Sequence, residues 1–212
     1  MKNLKSRSSV PHSARPAVRG VCHVVLRVRR GLPWLRTPKT WRVLEGAFRA
    51  GKEKRGFALV QFSVQGDHLH LLIEAEDKTA LARGLQGLTI RIAKNLNRFW
   101  RRRRGSVFAE RYFARAVQTA KEIKRALAYV LNNAHKHGVW SSPTTPDPFS
   151  SGRWYTGWWE SFASLCRPLR APPVAEARDM YLSMPSFRSL SVAFVPSGLA
   201  CEREPFDPRL AL

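Results

Sequence analysis

The chain contains short runs of β-branched and apolar residues that alternate with longer segments whose apolar residues recur three or four positions apart. Short apolar runs are typical of buried strands, and the three- and four-residue spacing is typical of helices that bury one face. The pattern predicts strands at residues 21–28, 57–64, 67–75 and 107–117 and helices at residues 37–52, 78–101 and 120–137.

The first six of these elements have the ferredoxin-like order: strand, helix, strand, strand, helix, strand. We therefore predict an α+β sandwich in which helices cover one face of a mainly antiparallel sheet. Gln65-Gly66 predicts a tight turn between the second and third strands. Thr119 and Glu122 have the spacing of a capping box, which predicts the start of the last helix.

Composition divides the chain into four segments. Residues 1–17 are basic and contain no acidic residue, which favours a disordered arm over a secretory signal. Residues 18–140 carry the predicted sandwich. Residues 141–167 form an appendage that contains Trp154, Trp158 and Trp159, and residues 168–212 form a Pro-rich and poorly ordered tail.

The net charge is extreme, because 37 Lys and Arg residues face 15 Asp and Glu residues and give a formal charge of +22. Such an excess of cations indicates a polyanionic partner, and nucleic acid is the simplest one. No stretch approaches the roughly 20 continuous apolar residues of a membrane-spanning helix. Cys22, Cys166 and Cys201 are odd in number and lack CxxC spacing, so we expect neither disulfides nor a zinc ribbon, and we expect a cytoplasmic location.

Part of the positive charge is concentrated at the end of the second predicted helix. Cations recur there with helical spacing on a side different from the apolar stripe, and the run continues into the following turn. A charge run is usually a solvated face, but this density of cations without alternating acidic residues favours contact with phosphates. The predicted DNA-binding residues are Arg91, Lys94, Arg98, Arg101, Arg102, Arg103 and Arg104.

His68 and His70 lie two residues apart on a predicted strand, so they project from the same face while Leu69 projects from the other. Two neighbouring neutral imidazoles form a partial metal site, although such a pair also occurs by chance on exposed sheet faces. His135 and His137 repeat the spacing at a predicted helix end. There they are separated by about 200°, which favours cations that complement the helix dipole.

Tyr129 and Asn133 lie four residues apart on the last predicted helix, beside its apolar stripe. A phenol and an amide on one face of a helix can both reach a metal site on a neighbouring strand. Taken alone, Tyr129 is more often a packed aromatic residue than a nucleophile. No role is assigned to His23.

These motifs together resemble the IS200/IS605-type single-tyrosine transposases, with most similarity to the branch associated with repetitive extragenic palindromes. The resemblance covers residues 18–140 and rests on the order of its motifs. One departure is Gln65-Gly66, where family members commonly carry Met-Pro. The motifs are His68-Leu-His70, the long basic helix, the strand Val107-Phe-Ala-Glu-Arg-Tyr112, and Tyr129-Val-Leu-Asn-Asn133 ahead of His-Lys-His-Gly138.

The resemblance implies a role for each residue that matches the family motifs. His68 and His70 would bind a divalent metal, Mg²⁺ or Mn²⁺, and Asn133 would complete its ligands. Tyr129 would be the nucleophile and would form a 5′-phosphotyrosine. Single-stranded or hairpin DNA is the implied substrate, and a homodimer is compatible with the resemblance.

Other readings stay open at this point. A non-catalytic nucleic-acid-binding protein would keep the basic surface without the reaction. A replication-initiator or relaxase nickase has the same metal motif, but the short chain without a helicase region argues against it. A two-histidine phosphoesterase would need a second His-x-Thr/Ser motif, which the sequence lacks.

Overall fold

The computed structural model describes residues 20–142, 145–155 and 172–175. The strands are β1 (Gly20–Arg27), β2 (Glu53–Lys54), β3 (Phe57–Val64), β4 (His68–Ala75) and β5 (Phe113–Val117). The helices are α1 (Pro38–Gly51), α2 (Lys78–Phe99), α3 (Ala120–Leu131) and α4 (Asn133–Lys136), followed by a 3-10 helix at Ser151–Trp154. The predicted arm, Trp158, Trp159 and all of the predicted tail except residues 172–175 lie outside the described residues.

The five strands form one antiparallel sheet in the order β2-β3-β4-β1-β5. The prediction of an α+β fold with an antiparallel sheet is therefore confirmed. The two central strands are β4 and β1, which pair along eight residues each. The strand that carries His68 and His70 is thus hydrogen-bonded on both sides, which restrains it more than an edge strand.

Helices cover both faces of the sheet, so the expectation that they cover one face is wrong for α3. The helices α1 and α2 pack on the face that presents Leu69, Leu71 and Ile73. Helix α3 packs on the opposite face, against Val21 and Leu72 among others. Apolar spacing shows that a helix buries one side but not which face of a sheet receives it, so periodicity alone did not separate the two arrangements.

Two predicted elements are shorter than expected. The predicted strand 107–117 makes an isolated bridge between Phe108 and Val28, and regular pairing begins only at Phe113. The predicted helix 120–137 breaks at Asn132, whose side-chain Nδ2 donates to the carbonyl oxygen of Ala128 at 3.1 Å. Such side-chain bonds compete with the helical ladder and explain the break.

The start of α3 follows the predicted capping box. The Thr119 hydroxyl accepts from the backbone N–H of Glu122 at 3.2 Å, and the Glu122 carboxylate accepts from the backbone N–H of Thr119 at 3.1 Å. These bonds satisfy donors that a helix start leaves unpaired, and so they position the helix that carries Tyr129. Within the described residues, no helix has the length and apolar character needed to cross a membrane.

Segments after residue 140 protect the outer edge of β3. β2 covers only the first two residues of that edge. The N–H of Ala175 donates to the carbonyl oxygen of Leu59 at 2.8 Å, and the N–H of Val64 donates to the carbonyl oxygen of Phe149 at 2.9 Å. An open edge invites pairing with other chains, so these segments complete the sheet.

A buried ion pair attaches the segment 145–155 to this edge. The Arg36 guanidinium donates to both carboxylate oxygens of Asp147, at 2.8 and 2.9 Å, and also to the carbonyl oxygen of Val64 at 2.7 Å. The Asp147 side chain is fully buried. Each partner therefore depends on the other to offset the cost of leaving water.

We expect Asp147→Ala to lower the free energy of unfolding by about 3–5 kcal/mol, because it leaves a buried guanidinium without its counter-charge. Urea denaturation followed by circular dichroism measures the change. The matched control is Glu45→Ala, which removes a partly exposed i,i+4 pair with Arg49 and should cost at most about 0.5 kcal/mol. Equal losses for the two variants would contradict the role given to Asp147.

Candidate active site

The structure brings the two predicted halves of the site together. His68 and His70 have the same parity on β4 as Leu72, so they face the side of the sheet that α3 covers. The Tyr129 ring lies edge-on to the His70 ring, with 5.3 Å between their centroids. One chain therefore supplies both the histidine pair and the tyrosine.

The two imidazoles of the pair converge, with 3.1 Å between Nε2 of His68 and Nε2 of His70. The other nitrogen of His68, Nδ1, lies 2.7 Å from Oδ1 of Asp67. A carboxylate can only accept, so Nδ1 carries the proton and Nε2 of neutral His68 keeps a lone pair. This hydrogen bond is also the main cause that holds the pKa of Asp67 below its usual value.

His23 supports the second imidazole from the neighbouring strand. Its Nε2 lies 3.1 Å from Nδ1 of His70, and the two rings stack with 5.2 Å between centroids. The His23 ring is also edge-on to Tyr129, at 5.7 Å. The sequence pattern indicates no role for His23, because only the register between β1 and β4 shows that His23 and His70, 47 positions apart, are neighbours.

Burial keeps these two imidazoles neutral. Burial, followed by the nearby His23 and His68, lowers the pKa of His70 to about 2. Burial and then the Arg115 charge lower the pKa of His23 to about 4. Both rings are therefore uncharged at neutral pH, and their nitrogens can accept hydrogen bonds or bind a cation.

The residues present fit a divalent ion if the ion also has ligands other than acidic, cysteine and histidine side chains. In the described part of the chain no three His, Cys, Asp or Glu side chains group as a metal site. Two nitrogens that bind one ion at about 2.1 Å and at right angles lie about 3 Å apart, close to the 3.1 Å seen between His68 and His70. Asn133 is fully buried, and neither its Oδ1 nor its Nδ2 finds a hydrogen-bond partner among the described residues.

Three cations outside the predicted DNA-binding residues lie around the site. Arg27 is paired with His68, and Arg115 is paired with His23, so both lie on the site face of the sheet. The Lys136 ammonium lies 5.3 Å from the centroid of the Tyr129 ring. The pairing of β1 with β4 and β5 is what places Arg27 and Arg115 on the same face as the histidines. Because the charge pattern of the sequence does not give this pairing, it did not indicate these two residues.

The predicted DNA-binding residues fall into two groups. Arg91, Lys94 and Arg98 are exposed on α2, which packs on the sheet face opposite the histidines. The turn that carries Arg101–Arg104 lies at the end of the sheet where His68 begins β4. Val107, which follows this turn, accepts a hydrogen bond from the N–H of Arg29. The N–H of the neighbouring Val28 donates to the carbonyl oxygen of Asp67, the residue before His68.

The second His-x-His motif does not form a convergent pair. His135 is buried, and burial is the main cause that lowers its pKa, so it is not the cation expected at a helix end. His137 is exposed, and burial followed by the Lys136 charge lowers its pKa as well. That the two residues do not share one ion stays a prediction.

The sequence matches the IS200-like transposase family over residues 18–133, which is more than half of the chain. The chain belongs to the IS200-like transposase family. The matched range includes the histidine pair and Tyr129 and ends at Asn133. No curated protein matches this IS200-like transposase.

Two solved structures are similar to this IS200-like transposase. A REP-associated tyrosine transposase bound to a REP hairpin is 18% identical, with a TM-score of 0.51, over 67% of this chain and 82% of that chain. A candidate transposase from Deinococcus radiodurans is 16% identical, with a TM-score of 0.40, over 57% of this chain and 92% of that chain. The first likeness shows a shared fold.

We expect Asn133→Leu to raise the free energy of unfolding by about 1–2 kcal/mol in the presence of EDTA, because it replaces a buried amide that lacks hydrogen bonds with an apolar group of similar size. Chemical denaturation measures the change. The matched control is Asn132→Leu, which removes the bond to Ala128 and should not stabilise the protein. A loss of stability in Asn133→Leu would show that the amide is satisfied in solution.

Proposed function

We propose that this IS200-like transposase cleaves and rejoins single-stranded or hairpin DNA in a metal-dependent reaction, through a 5′-phosphotyrosine on Tyr129. The observation that carries the proposal is the contact of Tyr129 with His70, whose Nε2 converges with that of His68. Family membership supports a DNA transposase function. The fold shared with a transposase that was solved with a REP hairpin supports a hairpin substrate.

His68, His70 and Asn133 are the residues that would hold Mg²⁺ or Mn²⁺. A bound ion of this kind withdraws charge from a phosphodiester and so lowers the barrier to attack by an oxygen nucleophile. Two imidazole ligands favour Mn²⁺ over Mg²⁺, because Mg²⁺ prefers oxygen. The neutral state of His70 suits this role, since an imidazolium would have no lone pair to offer.

Tyr129 would attack the phosphorus through its phenol oxygen, and the bond from phosphorus to the 3′ oxygen would break. The phenol proton passes to solvent or a base, and the departing 3′ oxygen takes up a proton and becomes a hydroxyl. Rejoining reverses the step, because a 3′-hydroxyl attacks the phosphotyrosine and releases the phenol. Lys136, whose ammonium lies 5.3 Å from the centroid of the Tyr129 ring, would stabilise negative charge that develops on the phenol.

His23 and Asp67 act as positioning residues in this proposal. The His23 contact holds His70 with its Nε2 towards His68, and Asp67 holds His68 with its Nε2 towards His70. Partners of this kind fix the tautomer and the orientation of histidine ligands.

The cations form two groups, one close to the proposed reacting phosphate and one distant from it. Arg27, Arg115 and the turn Arg101–Arg104 would hold phosphates next to the reacting one. The exposed cations of α2 lie on the opposite side of the sheet from the histidines and would contact a more distant segment of the DNA, such as a hairpin stem. The proposed reaction needs no residue from a second chain, and the homodimer stays a prediction.

We expect wild-type protein with Mn²⁺ and DNA from the flanks of its own gene to give a protein–DNA adduct that survives denaturant. Tyr129→Phe removes the nucleophile and should give none, and His68→Ala removes one ligand and should give little. Denaturing gel electrophoresis with labelled single-stranded and hairpin DNA measures the adduct. Tyr112→Phe makes the same chemical change elsewhere and should behave as wild type.

Binding that weakens with salt, without an adduct under any metal, would instead support the non-catalytic nucleic-acid-binding protein. An adduct of equal yield with Tyr129→Phe would overturn the assignment of the nucleophile.

We expect Arg101→Gly to separate stability from DNA binding. Arg101 has a positive φ of 54°, a conformation in which glycine is favoured, so the change should raise the free energy of unfolding by about 1 kcal/mol. The loss of a phosphate contact should weaken DNA binding and reduce the slope of log K against log salt by about one. Fluorescence anisotropy at several salt concentrations measures the slope. Lys39→Ala, an exposed cation outside the predicted set, is the control, and an unchanged slope in Arg101→Gly would remove Arg101 from the interface.

A further inference from the structure

Phe113 is an exposed aromatic residue in the same row of the sheet as His70. On β1, Val25 is paired with His70 on one side and with Phe113 on the other. Paired residues share a face, and adjacent strands are about 4.8 Å apart, so Phe113 lies about 10 Å from His70 on the face that carries the site. Its relative exposure is 42%.

The rest of β5 shows that Phe113 is not a core residue. Ala114 and Ala116 point the other way and pack against the core beneath α1 and α2. Val117 shares the face of Phe113 but is buried under α3. Phe113 belongs to neither core cluster among the described residues. It therefore presents its ring to solvent beside the site.

Arg27 and Arg115 lie on the same face on either side of the row that holds Phe113. Arg27 is opposite His68, two residue pairs along the sheet from Val25 and His70, and Arg115 follows Phe113 by two residues on β5. Arg115 lies 3.7 Å from Glu122, a long ion pair that leaves its side chain 30% exposed. An aromatic ring between cations is the usual composition of a surface that binds single-stranded nucleic acid, where bases stack and phosphates are held by charge.

Phe99, the other exposed phenylalanine among the described residues, lacks this placement. Phe99 is 40% exposed but ends α2, on the layer opposite the site. Single exposed apolar residues are ordinary on protein surfaces, so exposure alone would not select Phe113. Its row with His70 and the flanking cations select it.

We propose that Phe113 stacks on an unpaired base next to the reacting phosphate, while Arg27 and Arg115 hold the adjoining phosphates. This inference rests on the proposed function, from which it takes its DNA strand. A base inside a duplex has both faces covered by its neighbours, so the platform selects an unpaired base over a paired one.

The test measures binding in EDTA, so that cleavage plays no part in it. Fluorescence anisotropy gives the affinity of the full chain for labelled oligothymidylate and for a duplex of equal length. Stacking contributes about 1–3 kcal/mol per base, so Phe113→Ala and Phe113→Leu should weaken single-strand binding by about 5- to 150-fold. Phe113→Trp should retain it, and duplex binding should change little. Phe99→Ala is the matched control of almost equal exposure and should leave single-strand binding unchanged.

Wild-type affinity for the single strand in Phe113→Ala would overturn the inference, and so would equal losses in Phe113→Ala and Phe99→Ala or equal losses on single strand and duplex. Thermal unfolding of each variant separates loss of fold from loss of stacking, and Phe113→Leu keeps an apolar side chain for the same reason. The proposed function has a separate readout, the covalent adduct. A Phe113 effect without any adduct would keep the stacking site and reject the reaction, and an adduct without a Phe113 effect would do the reverse.

Discussion

The antiparallel register of β1 against β4, with Val25 opposite His70 and Arg27 opposite His68, determines which side chains share a face with the histidine pair. Side chains alternate between faces, so a shift of one residue would turn His23 and Arg27 away from the site. The register also places His23 diagonally to His70, where their nitrogens lie 3.1 Å apart. A backbone pairing thus builds the support of the site before any side-chain interaction is considered.

The two faces of the sheet have different tasks. One face is continuously apolar and is covered by α1 and α2. On this face Leu69, which lies between the two histidines in the sequence, and Leu71, which follows them, are fully buried. The other face is apolar where α3 covers Val21, Leu72 and Val117, and beside them it carries the imidazoles that Tyr129 contacts and the arginines. Close packing on the first face holds β4 in place, so the histidines on the second face can keep a defined geometry.

Local signals predicted the elements that carry the site, and non-local contacts account for the rest. Parity on a single strand placed His68 and His70 on one face, and the spacing of Thr119 and Glu122 located the start of α3. The role of His23 and the face that α3 covers depend on strand order, which no short window of sequence encodes. The break at Asn132 is local, but the sequence pattern does not show it, because the same residue type also occurs inside helices.

Charge is arranged as a neutral centre with a cationic rim. Burial lowers the pKa of His23 to about 4 and that of His70 to about 2, so neither imidazole opposes a divalent ion at neutral pH. Positive charge is instead carried by Arg27, Arg115 and Lys136 around the centre. The two parts therefore act separately. The cations of the rim attract phosphate, and this attraction weakens with salt. A metal ion binds instead to the lone pairs of the neutral imidazoles, so it does not depend on the charges of the rim. A site built from cations alone would attract DNA but repel the ion, and one built from imidazoles alone would bind the ion but attract DNA weakly, so the proposed reaction requires both parts on one face of the sheet.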